Sequence, residues 1–146
     1  LVRQAREKAI QMRENPNVSG RESIVLLRFN IEAIEQLFAA NELDQIYLNF
    51  SDPWPKNRHA KRRLTHPNFV RKYGQMLKTE GKMQLRTDSI LLFEFSLNTF
   101  ADMGLRMKDI YLDLHRNGMP DDHIFTEYEQ RFVEEGIRIH QVEVGF

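Results

Sequence analysis

The sequence predicts an α/β fold with a mainly parallel sheet, and two observations support this. Short apolar runs alternate with helical patterns of about ten residues or more, as in βαβ units. The chain then ends in two strand-like segments separated by one short helical segment, which indicates an antiparallel last strand. Its 146 residues fit one domain, and 41% hydrophobic with 29% charged residues is ordinary for a globular protein.

The first half of the chain holds two helical and two strand-like segments. Residues 1–14 place their apolar side chains on one helical face, and Ser23–Phe29 is an apolar run that predicts a strand. Asn30 follows this strand and is able to cap a helix over residues 31–40. Leu43–Phe50 predicts a buried strand of a parallel sheet, which must end before the two prolines that flank the tryptophan.

The second half continues the alternation of helix and strand. Pro67 fits the first position of a helix that Thr65 or His66 caps, and Gly81 ends this helical unit. The pattern then predicts, in order, a strand at Lys82–Thr87, a largely buried helix over residues 89–102, a strand at Leu105–Leu114, a loop at His115–Phe125, a helix from Thr126 through Glu135, and a last strand at Ile137–Val144 with a bulge between Ile139 and Val142.

A dense basic tract follows the predicted buried strand. Between Pro53 and Thr79 the chain has eight lysines or arginines and no acidic residue, although it has 21 basic and 21 acidic residues in total. The zero net charge therefore hides a strong separation of charge. Such a cluster of cations suits a polyanionic substrate. A charge run is more often only a solvated surface, but the absence of interleaved acids argues against that interpretation here.

Asp52 is the carboxylate at the start of this tract. It follows the predicted strand, and ligands of open α/β sheets bind at the carboxyl ends of the strands. An aspartate after a strand is often only a turn or cap residue. Its position between a buried strand and a group of cations favours a role at a reactive centre. Trp54, the only tryptophan, either packs at the sheet edge or offers a surface on which a base stacks.

Three blocks of sequence carry a resemblance to a known family. The first is Asp52-Pro53-Trp54-Pro55-Lys56-x-Arg58-His59-x-Lys61-Arg62-Arg63, the second is Arg86-Thr87-Asp88, and the third is Thr126-Glu127-Tyr128-Glu129. In order and spacing they resemble the motifs of bacterial tRNA (guanine-N7)-methyltransferases. The resemblance runs over nearly the whole chain, and it implies a Rossmann-like class I methyltransferase sheet.

The resemblance also implies a role for individual residues. Asp52 would be the catalytic residue and would lie near both the cofactor and the target base. Asn30 stands where the family commonly has an aspartate that contacts the adenosine of the cofactor. The residues implied in substrate binding, the arginines through phosphates, are Lys56, Arg58, Arg62, Arg63, Asp88, Thr126, Glu127, Tyr128 and Glu129. Local interpretations stay open, because Asn30 and Asp88 fit helix caps and Thr126 with Glu129 fits a capping box.

The implied function is methylation of N7 of a guanosine in the variable loop of tRNA, with S-adenosyl-L-methionine as the cofactor. Two alternatives stay open. One is an RNA-binding module without catalysis, and the other is a distant relative of the enzymes that methylate amino groups of DNA bases. tRNA is the implied partner, and the resemblance leaves a homodimer open.

The resemblance further implies that the family has an additional N-terminal stretch. That stretch holds the first two strands and a glycine-rich loop for the cofactor, and no Gly-x-Gly occurs in this chain. We therefore expect residues 1–146 to form a single methyltransferase domain that lacks its N-terminal strands.

Composition excludes several other classes. Without cysteine the chain has neither disulfides nor cysteine-based metal sites. The five histidines show no metal-ligand spacing, so we expect no metal. No apolar run reaches the roughly 18 residues that a membrane span requires. No signal peptide is visible, and we expect a cytoplasmic protein.

Overall fold

The computed structural model describes residues 25–119 and 123–146. The chain divides into two compact units, Leu1–Ile34 and Glu35–Phe146, and the single domain expected from the sequence stays a prediction. The helix predicted over residues 1–14 lies outside the described residues. No helix in the described ranges is both long enough and apolar enough to cross a membrane.

The described part of the first unit corrects one prediction. Residues 25–29, the described part of the strand predicted at Ser23–Phe29, form no strand, and side chains such as Val25 are exposed. A strand exists only through hydrogen bonds to a neighbouring strand, and this segment pairs with none in the described sheet. The helix predicted over residues 31–40 is a shorter 3₁₀ helix, Ile31–Gln36.

The second unit contains a four-stranded sheet. Its strands are β1 (Leu43–Asn49), β2 (Leu77–Thr87), β3 (Arg106–Tyr111) and β4 (His140–Gly145), in the spatial order β1-β2-β4-β3. β1 runs parallel to β2, and β4 runs antiparallel to both β2 and β3. Three strands thus point the same way and the last one opposes them, which confirms the predicted α/β class and the antiparallel last strand.

β1 is not the buried strand that its apolar sequence predicts. It pairs only with β2 and forms one edge of the described sheet. Leu48 is its single buried residue, whereas Tyr47 is 57% exposed. An edge strand has a neighbour on one side only, so its side chains are packed less completely than those of an interior strand.

Two helices cover one face of the sheet. α1 (Pro67–Met76) starts as predicted, because Pro67 occupies its first turn and the His66 imidazole accepts a hydrogen bond from the Asn68 N–H at 3.3 Å. α2 (Ile90–Asp102) coincides with the predicted helix, and Ser89 caps it. The buried residues that join these helices to the sheet are Phe69, Val70, Tyr73, Met76, Met83, Leu85, Leu92, Phe93, Phe100, Val142 and Val144.

Two irregularities differ from the predictions. Gly81 does not end a helical unit, because α1 stops at Met76 and Gly81 lies within β2. A Cβ at Gly81 would lie 2.8 Å from the carbonyl oxygen of Lys78, so a close backbone approach explains the glycine. The bulge predicted in β4 is instead in β3, where the pairing with β4 shifts beside Asp109, a residue with φ of 50°.

Candidate functional site

The first two sequence blocks meet at one edge of the sheet. β1 and β2 are parallel, so the loop after Asn49 and the turn at Asp88 both follow carboxyl ends of strands at the same edge. The Phe50 N–H donates a hydrogen bond to the Arg86 carbonyl at 2.9 Å. The β1 loop is therefore fastened to β2 just before Asp52.

Asp52 lies in a strained loop. Phe50 has φ of 52° and Trp54 has φ of 44°, a left-handed backbone conformation that costs free energy in residues other than glycine. The Asp52 carboxylate is exposed and its Oδ1 accepts a hydrogen bond from the Trp54 N–H at 3.1 Å. The hydroxyl of Ser51 is buried and has no hydrogen-bond partner among the described residues. The loop thus presents one carboxylate to solvent and keeps one unsatisfied hydroxyl beside it.

Arg63 is placed differently from the prediction that it grips phosphate. It is only 3% exposed, and its guanidinium donates from Nε to the Pro53 carbonyl at 3.2 Å and from Nη2 to the Trp54 carbonyl at 3.1 Å. The Cζ atom of its guanidinium also lies 4.4 Å from the centre of the Phe95 ring. Because Arg63 is buried and its Nε and Nη2 donate to backbone carbonyls of the loop, it braces the Asp52 loop and does not face solvent.

Trp54 is held by residues of its own basic tract. The 3₁₀ helix Asn57–Arg62 places residues three apart on the same side. Accordingly the His59 ring meets the indole edge-on at 5.5 Å, and the Arg62 guanidinium lies 4.8 Å above the indole face. This arrangement favours the packing interpretation of Trp54 over a free stacking surface for a base.

The remaining cations of the tract fall into three groups. Lys72 pairs with Glu35 at 2.8 Å and Lys78 pairs with Asp44 at 2.7 Å. Arg71 is exposed and donates a hydrogen bond to the Asn68 side-chain oxygen at 3.4 Å. The third group is exposed and forms no ion pair within the part of the chain that the structure describes, namely Lys56, Arg58, Lys61 and Arg62. We call these four residues the exposed cations. Three of them were predicted as substrate contacts, and they follow Asp52 directly in the chain.

Asp88 and Asn30 occupy the ends of other elements. Asp88 is exposed after β2, but the cap of α2 is Ser89, whose hydroxyl accepts from the Leu92 N–H at 3.2 Å. The Asp88 carboxylate is therefore not used as the cap. Asn30 lies in the first unit, where its Oδ1 accepts from the Glu32 N–H at 3.1 Å. The cap interpretation holds for Asn30, and its amide NH₂ group has no hydrogen bond to any residue within 25–119 or 123–146.

The third block begins α3 (Glu127–Glu134). Thr126 caps this helix, and the reciprocal hydrogen bonds with Glu129 form the predicted capping box. Glu127 and Tyr128 are exposed. The Tyr128 and Phe132 rings lie 6.1 Å and 5.3 Å from the Phe50 ring. Aromatic packing therefore joins the third block to the first.

Glu129, which the resemblance implies in substrate binding, is fully buried, and that role stays a prediction. Its side chain has no exposed surface, its Oε2 accepts from Arg86 Nη1 at 3.0 Å, and its Oε1 contacts His115 at 2.9 Å and His123 at 2.6 Å. Burial alone would raise the pKa of Glu129, but the hydrogen bond from His123 and the charge of Arg86 outweigh it and lower that pKa. The carboxylate is ionised and fully occupied.

Glu129 and the three side chains that contact its carboxylate form what we call the Glu129 cluster, and these three, Arg86, His115 and His123, were not singled out by the sequence. Arg86 appeared only as part of the second block, and its Nε also donates to Gln141 at 2.7 Å, which ties α3 to both β2 and β4. His115 and His123 lie in the predicted loop and show no ligand spacing, yet together with Glu129 they place three ligand-type atoms within 4.8 Å of one another. Only tertiary structure brings these residues together.

A cavity of about 580 Å³ adjoins this cluster. It is lined by side chains of β1, β2 and the start of α3, including Asn49, Gln84, Arg86 and Thr126. The lining combines amide, guanidinium and hydroxyl groups, which are hydrogen-bonding groups suited to a polar ligand.

Comparisons with known proteins identify the family of this chain. A family model described as "Putative methyltransferase" matches residues 2–142. The chain is 46% identical to a tRNA (guanine-N(7)-)-methyltransferase of Brevibacillus brevis, over 84% of this chain and 58% of the relative. It is 42% identical to a protein of the same name from Lysinibacillus sphaericus, over 97% of this chain and 62% of the relative.

The chain thus spans about three fifths of the length of these relatives. Among solved structures it is similar to a SAM dependent methyltransferase from Archaeoglobus fulgidus, with a TM-score of 0.46 and 9% identity over 81% of this chain and 66% of that chain. That likeness is too weak to carry an argument, and the sequence comparisons alone confirm the resemblance stated above. The chain belongs to this family of methyltransferases.

Proposed function

We propose that the protein containing this chain transfers a methyl group from S-adenosyl-L-methionine to N7 of a guanine in the variable loop of tRNA. The observation that carries the proposal is the convergence of the three sequence blocks. Phe50 hydrogen-bonds to Arg86, Arg86 pairs with Glu129, and Tyr128 packs near Phe50. The second and third blocks therefore meet the segment that leads directly into the first block, at the end of the sheet next to Asp52.

Methyl transfer to guanine N7 depends on positioning of the two reactants more than on proton transfer. Guanine N7 carries a free lone pair at neutral pH, so no base has to remove a proton before attack. The rate then depends on in-line placement of the two reactants and on stabilisation of the charge that develops on the purine. The exposed Asp52 carboxylate suits both tasks. It can accept hydrogen bonds from the N1–H and N2–H₂ edge of guanine, and its negative charge favours the cationic product.

The loop around Asp52 also fits a polar cofactor. When bound, S-adenosyl-L-methionine supplies a methyl group on a sulfonium cation. The buried Ser51 hydroxyl without a described partner is a donor that such a ligand would satisfy. The Asp52 carboxylate would favour the nearby positive charge, and we assign Asn30 to a contact through its unused amide group. Arg63 holds the loop in place through its hydrogen bonds to Pro53 and Trp54.

The exposed cations support a nucleic-acid substrate. Lys56 stands four residues after Asp52, and Arg58 and Arg62 follow on one short helix. None of these cations forms an ion pair among the described residues, and cations that meet phosphates release counterions, which produces binding that weakens steeply with salt. We assign Lys56 to the target nucleotide and the arginines to neighbouring phosphates. With tRNA as the substrate, we propose that the protein acts in the cytoplasm.

Transfer of a labelled methyl group tests the proposal. The full-length protein is incubated with the labelled donor and unmodified tRNA transcripts, and the product nucleoside is identified by mass spectrometry. We expect N7-methylguanosine in the variable loop, and no transfer to a transcript with 7-deazaguanine at that position. Transfer to an amino group of a base would overturn the assignment. Tight tRNA binding without any transfer would favour the RNA-binding module.

A further inference from the structure

We propose that His115 and His123 are positioning residues that hold the Thr126–Glu129 turn in its substrate-binding conformation through the buried carboxylate of Glu129. This inference rests on the proposed function, because it concerns the turn that would face the target nucleotide. It assigns a role to two histidines that neither motif spacing nor the family comparison identifies. The chain contributes the complete network from its own described residues.

The geometry shows how the carboxylate is held. Both imidazoles approach the same oxygen, Glu129 Oε1, through Nε2 at 2.9 Å and 2.6 Å. The other oxygen accepts from Arg86 at 3.0 Å and from the Thr126 N–H at 3.4 Å. An ionised carboxylate only accepts hydrogen bonds, so each histidine must carry its proton on Nε2. Four donors thus saturate one fully buried acceptor.

Aromatic packing fixes the two imidazole rings. The His115 ring stacks on Phe125 at 5.6 Å with an interplanar angle of 11°, and the His123 ring meets Phe125 edge-on at 4.8 Å. The side chains of His115 and His123 are 16% and 8% exposed. Rings packed in this way cannot rotate freely, so their N–H groups remain directed at Glu129.

The position of Glu129 in α3 explains how the hydrogen bonds to its carboxylate affect the Thr126–Glu129 turn. Glu129 is the third residue of the helix, and its carboxylate also completes the capping box with Thr126. Arg86 links the same carboxylate to Gln141 on β4. Loss of a histidine donor would leave a buried charge with fewer partners. The half-buried Thr126 and the exposed Tyr128 would then lose their fixed position above the sheet edge.

The same three residues would also suit a divalent metal, because two imidazoles and a carboxylate are zinc ligands. Two features favour hydrogen bonds over a metal. The Arg86 guanidinium already pairs with Glu129, and the distances of 2.6 Å and 2.9 Å are those of direct hydrogen bonds. A metal would require both Nε2 atoms without protons. Retention of zinc by these residues is therefore an outcome that contradicts the proposal.

Paired substitutions in the full-length protein test the role. His115→Leu and His123→Leu remove the donor, whereas His115→Gln and His123→Gln keep an N–H group near the original Nε2 position. The readouts are amide hydrogen exchange of residues 126–134 and the separate values of KM for tRNA and kcat. We expect each leucine variant to raise exchange in that segment and to raise KM about tenfold. Each glutamine variant should restore most of both values.

His140→Leu provides the matched control for lost stability. It removes a buried imidazole that hydrogen-bonds to the Leu112 carbonyl at 2.7 Å and does not contact Glu129. Its exchange should rise throughout β4, with no selective change at residues 126–134. Unchanged exchange and KM in both leucine variants would overturn the inference, as would zinc that remains bound after dialysis in wild type but not in His123→Gln.

Failure of the proposed function would look different. If wild type transferred no methyl group to tRNA, the activity would be wrong, yet the exchange of residues 126–134 would still decide whether the histidines hold the turn. If wild type methylated tRNA and the leucine variants kept its KM and exchange, the activity would stand and the positioning role would be wrong.

Discussion

Two charged regions border the candidate site, and they differ in burial and in hydrogen bonding. The exposed cations Lys56, Arg58, Lys61 and Arg62 face solvent and form no ion pair among the described residues. The Glu129 cluster is buried, and each oxygen of its carboxylate has at least two hydrogen-bond contacts. The exposed cations can therefore bind an anionic partner, whereas the Glu129 carboxylate already accepts hydrogen bonds at both oxygens.

The contrast indicates that charge in this site serves two purposes. A solvated, unpaired cation contributes little to folding but attracts a polyanion. A buried and saturated ionic cluster binds no additional ligand, but it fixes the elements that meet at it. The family resemblance groups residues of both kinds under substrate binding. Burial and hydrogen bonding distinguish the exposed cations from the buried Glu129. This difference leads to measurable predictions.

The largest expected effect on stability is that of Glu129→Ala. The substitution leaves Arg86 without its partner in a setting where its side chain is only 14% exposed. Breaking one side of a buried ion pair costs about 3 kcal/mol. Chemical denaturation should show this loss, whereas Glu134→Ala on the exposed side of α3 should change the unfolding free energy by less than about 0.5 kcal/mol. Equal effects of the two substitutions would remove the distinction between the regions.

Neighbouring arginines sharpen the comparison. Arg63→Met removes donors to two backbone carbonyls and should lower the unfolding free energy by about 2 kcal/mol, because these acceptors would lose charged partners. Arg62→Met changes an exposed cation and should cost less than about 0.5 kcal/mol. Only Arg62→Met should reduce tRNA affinity without reducing stability. The reverse pattern would show that burial does not decide the role.

Salt dependence tests the exposed cations as a group. The triple variant Lys56→Gln, Arg58→Gln and Arg62→Gln should bind tRNA with a flatter dependence of log affinity on log salt, by about 2 units of slope. Its stability should stay near that of wild type. Lys78→Gln is the matched control, because its ammonium pairs with Asp44 and should leave the slope unchanged. A triple variant with the wild-type slope would argue against phosphate contacts.

Acid should reduce the contribution of the Glu129 carboxylate to stability and leave the charge of the exposed cations unchanged. The pKa of Glu129 is lowered in the fold from its ordinary value of 4.5. Between the lowered pKa of the folded state and the ordinary pKa of the unfolded state, the unfolded chain binds more protons than the folded chain. The free energy of unfolding therefore rises with pH in this range. The contribution is fully present above about pH 4.5 and is lost as pH falls through the lower folded value. Glu129→Gln should remove this part of the acid dependence, measured as the difference in unfolding free energy from wild type.

Local sequence signals predicted the parts of the fold that depend on neighbours in the chain. Pro67 at the start of α1 and the Thr126–Glu129 capping box are set within three or four residues, and the structure confirms both. The apolar runs likewise located β1, β2 and β4. Gly81 was misinterpreted because a glycine suits both a helix end and a close backbone approach, and only the contact with Lys78 distinguishes them.

The arrangement of the site could not be predicted in the same way. Arg86 and Glu129 are 43 residues apart, and His115 and Glu129 are 14 apart. No periodicity relates such positions, since sheet order and the entry of α3 decide whether they meet. Arg63 shows the same limit, because its neighbours in sequence are exposed cations while the fold buries it. The family resemblance identified the blocks, and tertiary packing shows which of their residues are buried and which are exposed.

The central claim is that the exposed Asp52 carboxylate orients guanine for attack by N7, and single-turnover methylation by Asp52→Asn in the full-length protein tests it most directly. The asparagine keeps the size of the side chain and the hydrogen bond from the Trp54 N–H. We expect the methyl-transfer rate to fall about 100-fold, as for the loss of one preorganised electrostatic group, with tRNA affinity and stability unchanged. A transfer rate close to that of wild type would contradict the account.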